Sequence, residues 1–512
     1  MPVGGGEYNA VRMNAHPLRL TTYLASTLMA CSVPLAAATC DSLRNISLHG
    51  VTIDSAQPVG AGEFTPPQGG PPGGGAAFKT LPAFCRVSAT LRPVVDSQIG
   101  IEVWLPASGW NGNLQSVGNG AWAGSIGYPA MATALGQGYA TASTDTGHTG
   151  NNADFITGHP EKVVDFAYRA VHEMTVAAKA ISGAFYGSLV KYSFWNGCST
   201  GGRQAFSEAQ RFPNDYDGIV AGAPAFYTTR LQGEQVWVAA EAHRDEAAYI
   251  PPAKYPAMHK AVLDACDALD GVKDGVLENP ERCHFDPSVL ACKGADTPDC
   301  LTGPQVEFAK RMYAGPAGIF PGVEPGTELG WNMLAGPKPM GLAVEVYKYL
   351  VFNDPSWDYK AFDASKDIAK AEKTIHSLMD SSDPNLRPFI AHGGKLLIYH
   401  GWADPGVPPM GSVNYYKSVV ETVGTKATDS VRLFLVPGMG HCQGGDGTDK
   451  FNMVQAMENW MSSNKPPERI EASHMTKGQV DKTRPLCAYP QVAVYTGSGS
   501  TNEAANFVCK AQ

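Results

Sequence analysis

The feature that most constrains the fold of this 512-residue chain is a serine in a glycine-rich turn between a strand-like and a helix-like segment. Residues 191–195 (KYSFW) have the composition of a short aromatic strand, residues 197–201 (GCSTG) match G-x-S-x-G, and residues 204–212 have a helical pattern. In such a sharp strand-to-helix turn only glycine tolerates the close backbone contacts, and the serine hydroxyl is raised above a sheet. The turn therefore predicts an α/β fold with Ser199 as a nucleophile.

The apolar pattern on either side of this turn predicts one α/β domain with a long insertion. The expected elements are a helix over residues 160–185 and strands over residues 218–221, 395–399 and 431–436. Between the first and second of these strand regions the chain bears cysteines, is rich in Pro, Gly and Asp, and is only weakly periodic. We therefore predict a catalytic domain formed by residues 39–224 and 389–512, with a cap (lid) domain at residues 225–388 inserted into it.

The N-terminus has the features of a secretory signal. Two arginines precede an apolar run over residues 20–38 that ends in three alanines. We predict that residues 1–38 form a signal peptide and that the mature protein is secreted or periplasmic. Residues 28–31 (LMAC) also resemble a lipobox, which leaves a lipid anchor at Cys31 as an alternative. No other stretch approaches the ~20 apolar residues that a membrane-spanning helix needs.

Charge and cysteine content narrow the range of partners and cofactors. The formal net charge of −9 argues against nucleic acid or an anionic membrane surface as a partner. Removal of Cys31 with the signal would leave ten of the eleven cysteines, and an even number in an oxidising compartment predicts disulfides. The sequence has no Cys-x-x-Cys pair, so a thiolate zinc site is not expected.

Two residues near the C-terminus are candidates for the partners of the serine. A serine hydroxyl needs a base, and the base needs an orienting acid; in α/β-hydrolases they follow in the order Ser, Asp or Glu, His. Asp404 follows one late strand, and His441 lies on a glycine-rich loop after the next. We predict that Asp404 is the acid and His441 the base. His400 is assigned a structural role, because no suitable acid follows it in the expected order.

These residues resemble the tannase and feruloyl esterase family, a group of secreted α/β-hydrolases that includes mono-hydroxyethyl terephthalate hydrolase. The resemblance extends over nearly the whole mature chain and rests on residues 197–203 (GCSTGGR), 212–222 (FPNDYDGIVAG), 400–404 (HGWAD) and 438–442 (GMGHC). It implies an α/β-hydrolase core with a large inserted cap, a triad of Ser199, His441 and Asp404, and no organic cofactor. The implied substrates are esters of aromatic acids, such as hydroxycinnamates, gallates or terephthalate monoesters.

The resemblance also implies how the cysteines pair. A Cys198–Cys442 disulfide would join the residue before the serine to the residue after the histidine and so fix both at contact range. Closing so long a loop stabilises by roughly 5 kcal/mol in the chain-entropy model. The other implied pairs are Cys40–Cys85, Cys266–Cys283, Cys292–Cys300 and Cys487–Cys509, a connectivity that the sequence by itself does not select.

A group of carboxylates in the cap predicts a structural cation site. Residues 267–276 (DALDGVKDGV) bring Asp267, Asp270 and Asp274 close together, and hard oxygen ligands favour calcium. The spacing is not that of an EF-hand. The family resemblance implies that the backbone carbonyls of Val272 and Val276 complete the set. The alternative is a solvated acidic turn.

An ester hydrolase also needs two N–H donors for the oxyanion of its tetrahedral intermediate. The N–H of Thr200, at the start of the helix after Ser199, is one expected donor. The second is expected from residues 118–120 (GNG), with Gly118 as the first choice, and a simple hairpin turn is the alternative interpretation.

The sequence thus predicts a secreted serine carboxylic-ester hydrolase of the feruloyl esterase or tannase type, acting on a small aromatic ester. A terephthalate-monoester hydrolase is an alternative, but it would favour a pocket cation, and residues 348–362 offer no arginine. Arg230 or Arg311 would then have to supply the charge. An acyltransferase with the same triad and a non-catalytic surface-binding protein are alternatives from other classes. The sequence carries no signal for the oligomeric state.

Overall fold

The structure is a computed structural model that describes residues 37–67 and 75–511. The predicted signal peptide, with the lipobox at Cys31, lies outside the described residues except for Ala37 and Ala38.

Thirteen strands lie in the described residues. They are β1 (Val51–Val59), β2 (Phe84–Leu91), β3 (Ile99–Pro106), β4 (Leu114–Val117), β5 (Ala140–Thr144), β6 (Ser193–Cys198), β7 (Gly218–Gly222), β8 (Lys395–Gly401), β9 (Val431–Val436), β10 (Arg469–Thr476), β11 (Gln479–Cys487), β12 (Gln491–Tyr495) and β13 (Phe507–Ala511). The first nine form one mixed sheet in the order β1-β2-β3-β5-β4-β6-β7-β8-β9, while β10 pairs with β11 and β12 with β13. The large sheet is antiparallel from β1 to β5 and parallel from there to β9.

Fourteen α-helices are present in the described part of the chain. They are α1 (Gly75–Lys79), α2 (Tyr128–Gly136), α3 (Pro160–Val164), α4 (Ala170–Tyr186), α5 (Thr200–Arg211), α6 (Thr228–His243), α7 (Tyr255–Cys266), α8 (Gly303–Ala314), α9 (Asn332–Ala335), α10 (Gly341–Glu345), α11 (Ala364–Met379), α12 (Arg387–Ala391), α13 (Met410–Val423) and α14 (Met453–Ser463). Among them, none combines the length and the apolar character that crossing a membrane requires.

The long helix expected over residues 160–185 is confirmed, with one irregularity. It consists of α3, a π-helical stretch Asp165–Arg169 and α4. The apolar side of α4 packs on the sheet, while the apolar residues before it pack against α6 and α11. Gly187, with φ of 66°, ends it in the left-handed conformation that favours glycine.

Both faces of the parallel part of the sheet are buried. One face packs against α4 and α5 through residues such as Ala177, Phe206 and Ile219. The other face packs against α2 and α14 through residues such as Phe194 and Met457. Burial on both sides is the usual state of parallel strands, because the connecting helices cover both faces. The carboxyl ends of these strands are therefore left as the place where loops can form a site.

The chain between β7 and β8 forms α6 to α12, which corresponds to the region predicted as a cap. Its first helix, α6, is buried around nearly its whole circumference. A helix buried on all sides lacks the alternation of apolar and polar positions that reveals an amphipathic helix. This explains why the start of the region has so weak a periodicity in the sequence. The treatment of residues 225–388 as a separate domain remains a prediction.

Candidate active site

Ser199 lies in the turn between β6 and α5, as the motif predicts. Its φ of 63° and ψ of −118° place a non-glycine residue in a conformation that is costly for an L-amino acid. Two backbone contacts hold it there: its N–H donates to the carbonyl of Gly222 on β7 at 3.0 Å, and its carbonyl accepts from the N–H of Arg203 at 3.0 Å. The strained turn is thus fixed by the neighbouring strand and by the first turn of α5, and it aims the serine away from the sheet.

A close backbone contact explains the glycines around the serine. A Cβ atom on Gly118, just after β4, would lie 2.6 Å from the Cα of Gly201 in the first turn of α5. No side chain fits at that separation. The end of β4 and the start of α5 therefore approach each other through glycine alone.

Asp404 and His441 meet at the carboxyl ends of β8 and β9. Nδ1 of His441 lies 2.6 Å from Oδ2 of Asp404, whose side chain is fully buried. The other carboxylate oxygen, Oδ1, accepts the N–H groups of Gly406 and Val407 at 2.9 Å each. An ionised carboxylate accepts a proton and does not donate one, so Nδ1 carries the imidazole proton and Nε2 is left as the proton acceptor.

His400 contacts the same carboxylate from the opposite side. Its Nε2 lies 3.2 Å from Oδ2 of Asp404 and 2.9 Å from the carbonyl of Val407, and its Nδ1 lies 2.8 Å from Oγ of Ser412. A carbonyl only accepts, so Nε2 donates and Nδ1 accepts from the hydroxyl. His400 is fully buried and orients the acid, which agrees with its predicted structural role.

The charges around His441 and Asp404 shift the pKa values of both side chains. Burial acts to raise the pKa of Asp404, but His441 and His400 together hold that pKa well below its usual range. Burial likewise acts to lower the pKa of His441, but the carboxylate of Asp404 raises it above its usual value. The acid therefore stays ionised, and the imidazole has a greater affinity for a proton taken from a hydroxyl.

The disulfide Cys198–Cys442 links the serine turn to the histidine loop. Its half-cystines are 244 residues apart in sequence, and their Cα atoms lie 6.1 Å apart. Cys198 precedes Ser199 and Cys442 follows His441, so the bridge holds both residues through their neighbours. The described residues contain five disulfides, and all five join the cysteine pairs that the family resemblance implies.

The N–H of Gly118, the first choice for the second oxyanion donor, is already hydrogen-bonded in the structure. It donates to the carbonyl of Asn196 at 3.0 Å, and the next N–H, that of Asn119, donates to Oε1 of Gln204 at 3.1 Å. Among the described residues, nothing accepts from the N–H groups of Gly120 and Ala121. These two follow directly in the same turn, and Ala121 has a φ of 46°.

Gln204 is a residue at this site that the sequence reasoning missed. Besides binding the N–H of Asn119, it donates from Nε2 to Oδ1 of the same residue at 3.1 Å. A signal existed in the sequence: Gln204 lies four residues after Thr200, and residues with that spacing share a helix face. Thr200 itself donates from Oγ1 to the carbonyl of Ala121 at 3.1 Å, so α5 fixes this turn at two points.

The acidic loop predicted to bind calcium encloses a small cavity. Asp270, Val272, Asp274 and Val276 all line it, together with Glu278, which the sequence reasoning did not include. Burial raises the pKa of Asp270 to about 6 and that of Glu278 to about 8.

Asp267 and two cations complete the surroundings of this loop. The carboxylate of Asp267 accepts the N–H groups of Asp274 and Gly275 at 3.2 and 3.0 Å, which orders the loop. Lys482 and Arg484, both on β11, contact Oδ2 of Asp274. The cavity is thus lined by three carboxylates, those of Asp270, Asp274 and Glu278, and by the two basic side chains, which compensate part of their negative charge.

The two arginines considered for a terephthalate pocket are both in ion pairs. Nε of Arg230 lies 2.6 Å from Glu372, and Nε of Arg311 lies 3.0 Å from Glu241. Each positive charge already has a carboxylate partner. The terephthalate alternative therefore gains no support from the structure.

Two curated proteins that this chain resembles over most of its length are named as esterases. An uncharacterised esterase of Xanthomonas campestris pv. campestris is 38% identical over 558 residues, which covers 98% of this chain and 96% of that protein. A probable feruloyl esterase B-2 of Aspergillus terreus is 32% identical over 502 residues, which covers 92% of this chain and 95% of that protein.

Solved structures give the same result. The crystal structure of feruloyl esterase B from Aspergillus oryzae superposes with a TM-score of 0.85 at 31% identity and covers 92% of this chain and 99% of its own. Tannin acyl hydrolase from Aspergillus niger has the same fold, with a TM-score of 0.76 at 24% identity over 92% of this chain and 95% of its own. These neighbours confirm the predicted α/β-hydrolase fold.

The sequence pattern described as "Tannase and feruloyl esterase" matches residues 85–346 and 340–510, which is most of the chain. The match includes the serine turn, the buried acid and the histidine loop. The chain therefore belongs to the tannase and feruloyl esterase family of carboxylic-ester hydrolases.

Proposed function

We propose that this esterase is an exported serine hydrolase for esters of aromatic acids, with Ser199 as the nucleophile, His441 as the general base and Asp404 as the orienting acid. The observation that carries the proposal is the 2.6 Å contact between His441 and the buried Asp404, on a loop that a disulfide ties to the residue before Ser199. Along the chain the three residues follow in the order serine, acid, histidine, which is the order of α/β-hydrolases.

The acylation step follows from this geometry. Oγ of Ser199 attacks the ester carbonyl carbon while Nε2 of His441 takes its proton, and Asp404 stabilises the imidazolium that forms. The tetrahedral intermediate collapses, and its alcohol leaves with the proton that His441 holds. Water then attacks the acyl-serine with His441 again as base, and the free acid and Ser199 are regenerated.

The developing oxyanion needs two N–H donors. The N–H of Thr200, at the N-terminus of α5, is one, because the first N–H groups of a helix have no partner within it. The second comes from Gly120 or Ala121, which lie across from α5 and whose N–H groups are not engaged elsewhere among the described residues. This assignment replaces Gly118.

The aromatic acyl group is proposed from the relatives. Several of them are named as probable feruloyl esterases, and a solved neighbour at 31% identity is feruloyl esterase B. A feruloyl-type ester is therefore the proposed substrate. The cap supplies aromatic side chains close to the insertion's start, where Phe226 and Tyr227 lie within 4.5 Å of each other by ring centroid.

We also propose that the acidic loop binds one structural calcium ion. The carboxylates of Asp267, Asp270 and Asp274 and the carbonyls of Val272 and Val276 would be its ligands. The small oxygen-lined cavity between β11 and this loop supports the proposal. The ion would stabilise the fold at that point and takes no part in the chemistry.

Export is proposed from the cysteines and the N-terminus together. Ten cysteines in the described residues pair as five disulfides, which is typical of proteins that fold in an oxidising compartment. The apolar N-terminal run supplies the expected signal.

The test is a substrate panel with one variant. Purified protein is assayed on methyl ferulate, methyl gallate, a terephthalate monoester and p-nitrophenyl acetate, with and without an added alcohol acceptor. We expect the highest kcat/KM on methyl ferulate, no preference for the alcohol over water, and a loss of about 10⁶-fold in Ser199→Ala. Full activity in Ser199→Ala would overturn the mechanism, and dominant ester exchange with the alcohol would favour the acyltransferase.

A further inference from the structure

A second cavity lies on the face of the sheet that α2 and α14 cover. Its volume is about 260 Å³, near the lower end of the range for small-molecule sites. Its lining comprises Gln115, Thr133, Gln137, Asn196, Tyr399, Phe451, Asn452, Met453 and Val454. None of these side chains has a role in the triad, in the oxyanion turn or in the acidic loop.

Two amide side chains interrupt a largely apolar part of the sheet face here. Gln115 pairs in register with Phe194, and Asn196 pairs with Val220, so all four side chains point to the same face. Phe194 and Val220 are buried in the apolar core of that face. Gln115 and Asn196 instead line the cavity, although a polar side chain costs stability in such a position.

Gln115 has an unused acceptor. The residue is only 3% exposed, and its Oε1 has no hydrogen-bond partner within the described residues. A buried amide oxygen without a partner is rare and costly in a folded protein. This oxygen is enclosed in the orientation described, and exchanging the O and N atoms of the terminal amide by a half-turn would bring the acceptor to the cavity side. A ligand hydroxyl that donates to it there would remove that cost.

The lining also defines the chemistry of the ligand. No charged side chain is found among the described residues that line the cavity, so a neutral ligand fits best. Four amide side chains line the cavity, and each can donate and accept hydrogen bonds. Hydroxyl groups of a ligand can also donate and accept, so they are suitable partners for these amides. Tyr399 and Phe451, with ring centroids 5.2 Å apart in an edge-to-face arrangement, give one apolar side.

We infer that this cavity is a binding site for a neutral saccharide unit, separate from the ester site. A pyranose or pentose ring has hydroxyls at its edge for the amides and C–H groups on its faces for the aromatic rings. The mouth is formed by Thr133, Gln137 and Asn452, which are exposed, so a sugar has a route from solvent.

The inference does not depend on the proposed function, because its test uses sugars that contain no ester. Saturation-transfer NMR and calorimetry are carried out on the whole protein with D-xylose, L-arabinose and D-glucose. The variant Gln115→Met removes the orphan acceptor at nearly constant volume. The matched control is Gln479→Met, the same change on an exposed strand residue outside the cavity.

We expect at least one of these sugars to bind to the parent protein. The affinity should be about fivefold weaker in Gln115→Met, as the loss of one neutral hydrogen bond predicts, and should be unchanged in Gln479→Met. Hydrolysis of p-nitrophenyl acetate by both variants should equal that of the parent and shows that they are folded. Three outcomes would overturn the inference: no sugar binding, binding that ignores Gln115→Met, or preferential binding of a phenol such as guaiacol in place of the sugars.

Discussion

The acid and the base of the proposed triad lie on two loops that are fixed by different physical means. The acid loop (residues 401–409) is buried along nearly its whole length, and Asp404 is fully buried. It is held by hydrogen bonds: N–H groups of Gly406 and Val407 bind Asp404, His400 binds the carbonyl of Val407, and Gln235 on α6 donates to the carbonyl of Gly406 at 2.6 Å.

The base loop (residues 437–449) is more open and richer in glycine. Residues 443–446 are exposed, and the His441 side chain is 23% exposed. Its main tie is covalent, through Cys442 to Cys198. Two non-covalent ties are the N–H of Ala403, which donates to the carbonyl of Met439 at 3.0 Å, and the contact between Asp446 and His259 on α7, 3.6 Å apart. A buried loop can be fixed by many hydrogen bonds, whereas an exposed loop, in which water competes for those bonds, is fixed here by a covalent link.

The largest effect in this comparison should come from the contact between the two loops. Asp404→Asn keeps the shape of the acid loop but removes the charge that sets the tautomer of His441. We expect kcat/KM to fall about 10⁴-fold. The assay is kcat/KM against pH on methyl ferulate.

The pH dependence of the activity of this variant tests the same prediction. His441 must be neutral to act as base, so activity falls as the pH drops through its pKa, which Asp404 raises. The acid limb of the pH profile of Asp404→Asn should therefore lie at a lower pH than the acid limb of the parent protein. An acid limb that does not move would show that Asp404 is not the electrostatic partner of His441.

The next largest effect should come from opening the covalent tie of the base loop. Cys198→Ser with Cys442→Ser frees His441 from the serine turn, and a misplacement on the scale of 1 Å costs about a hundredfold in rate. The loss of so long a loop closure should also lower the free energy of unfolding by up to about 5 kcal/mol. Steady-state kinetics and denaturant unfolding measure the two effects.

The matched control for this bridge is Cys292→Ser with Cys300→Ser. That disulfide closes a separation of only 8 residues in the cap, far from the histidine loop in sequence. We expect kcat to stay at the parent value and stability to fall by less. Equal loss of kcat in both double variants would show that the Cys198–Cys442 bridge acts through general stability and not through placement.

The two loops also show how far the sequence could predict this protein. The serine turn, Asp404 and His441 follow β6, β8 and β9, strands whose short apolar runs are visible in the sequence, so the fold and these three positions were accessible. Gly118 was the first choice for the second oxyanion donor because a Gly-Asn-Gly turn shows three candidate N–H groups but not which of them a neighbouring strand engages. Gln235 was missed because its contact crosses from the insertion to the acid loop, 171 residues apart in sequence.

An intermediate effect should follow from removing the tie of the acid loop to α6. Gln235→Met leaves the carbonyl of Gly406 without its donor, at a cost of about 1–3 kcal/mol in a buried site. We expect kcat to fall several-fold with little change in KM, because Asp404 loses part of its positioning. Gln232→Met, a change at another buried glutamine of α6, is the control and should affect stability alone. A kcat that is equal in the two variants would mean that α6 does not position the acid.

A smaller effect on stability, with none on the chemistry, is expected at the acidic loop. At a calcium concentration about 100 times Kd, a structural ion adds about 2.7 kcal/mol to the free energy of unfolding. Removing it with a chelator should lower the Tm by about 3 °C for a chain of this size and leave the initial rate unchanged.

Variants separate a bound ion from a general effect of the chelator. Asp270→Asn should abolish the chelator sensitivity, while Asp264→Asn, at an exposed residue on α7, should keep it. A Tm that ignores the chelator in the parent protein would count against the calcium site. A loss of kcat on chelation would show that the ion acts on the active site as well.

The smallest effect should come from the non-covalent contact between Asp446 of the base loop and His259 on α7. Burial acts to lower the pKa of His259, but Asp446 and Glu328 raise it to about 9. The stability that the raised pKa supplies is therefore complete below about pH 6.5 and is lost as the pH rises through about 9. Asp446→Asn should reduce this pH dependence and change kcat by less than about twofold, since Asp446 is largely exposed and exposed pairs contribute little. Thermal unfolding from pH 6 to 10 measures the pH dependence of stability. A loss of kcat as large as that of the Cys198→Ser, Cys442→Ser variant would show that the disulfide is not the main constraint on His441.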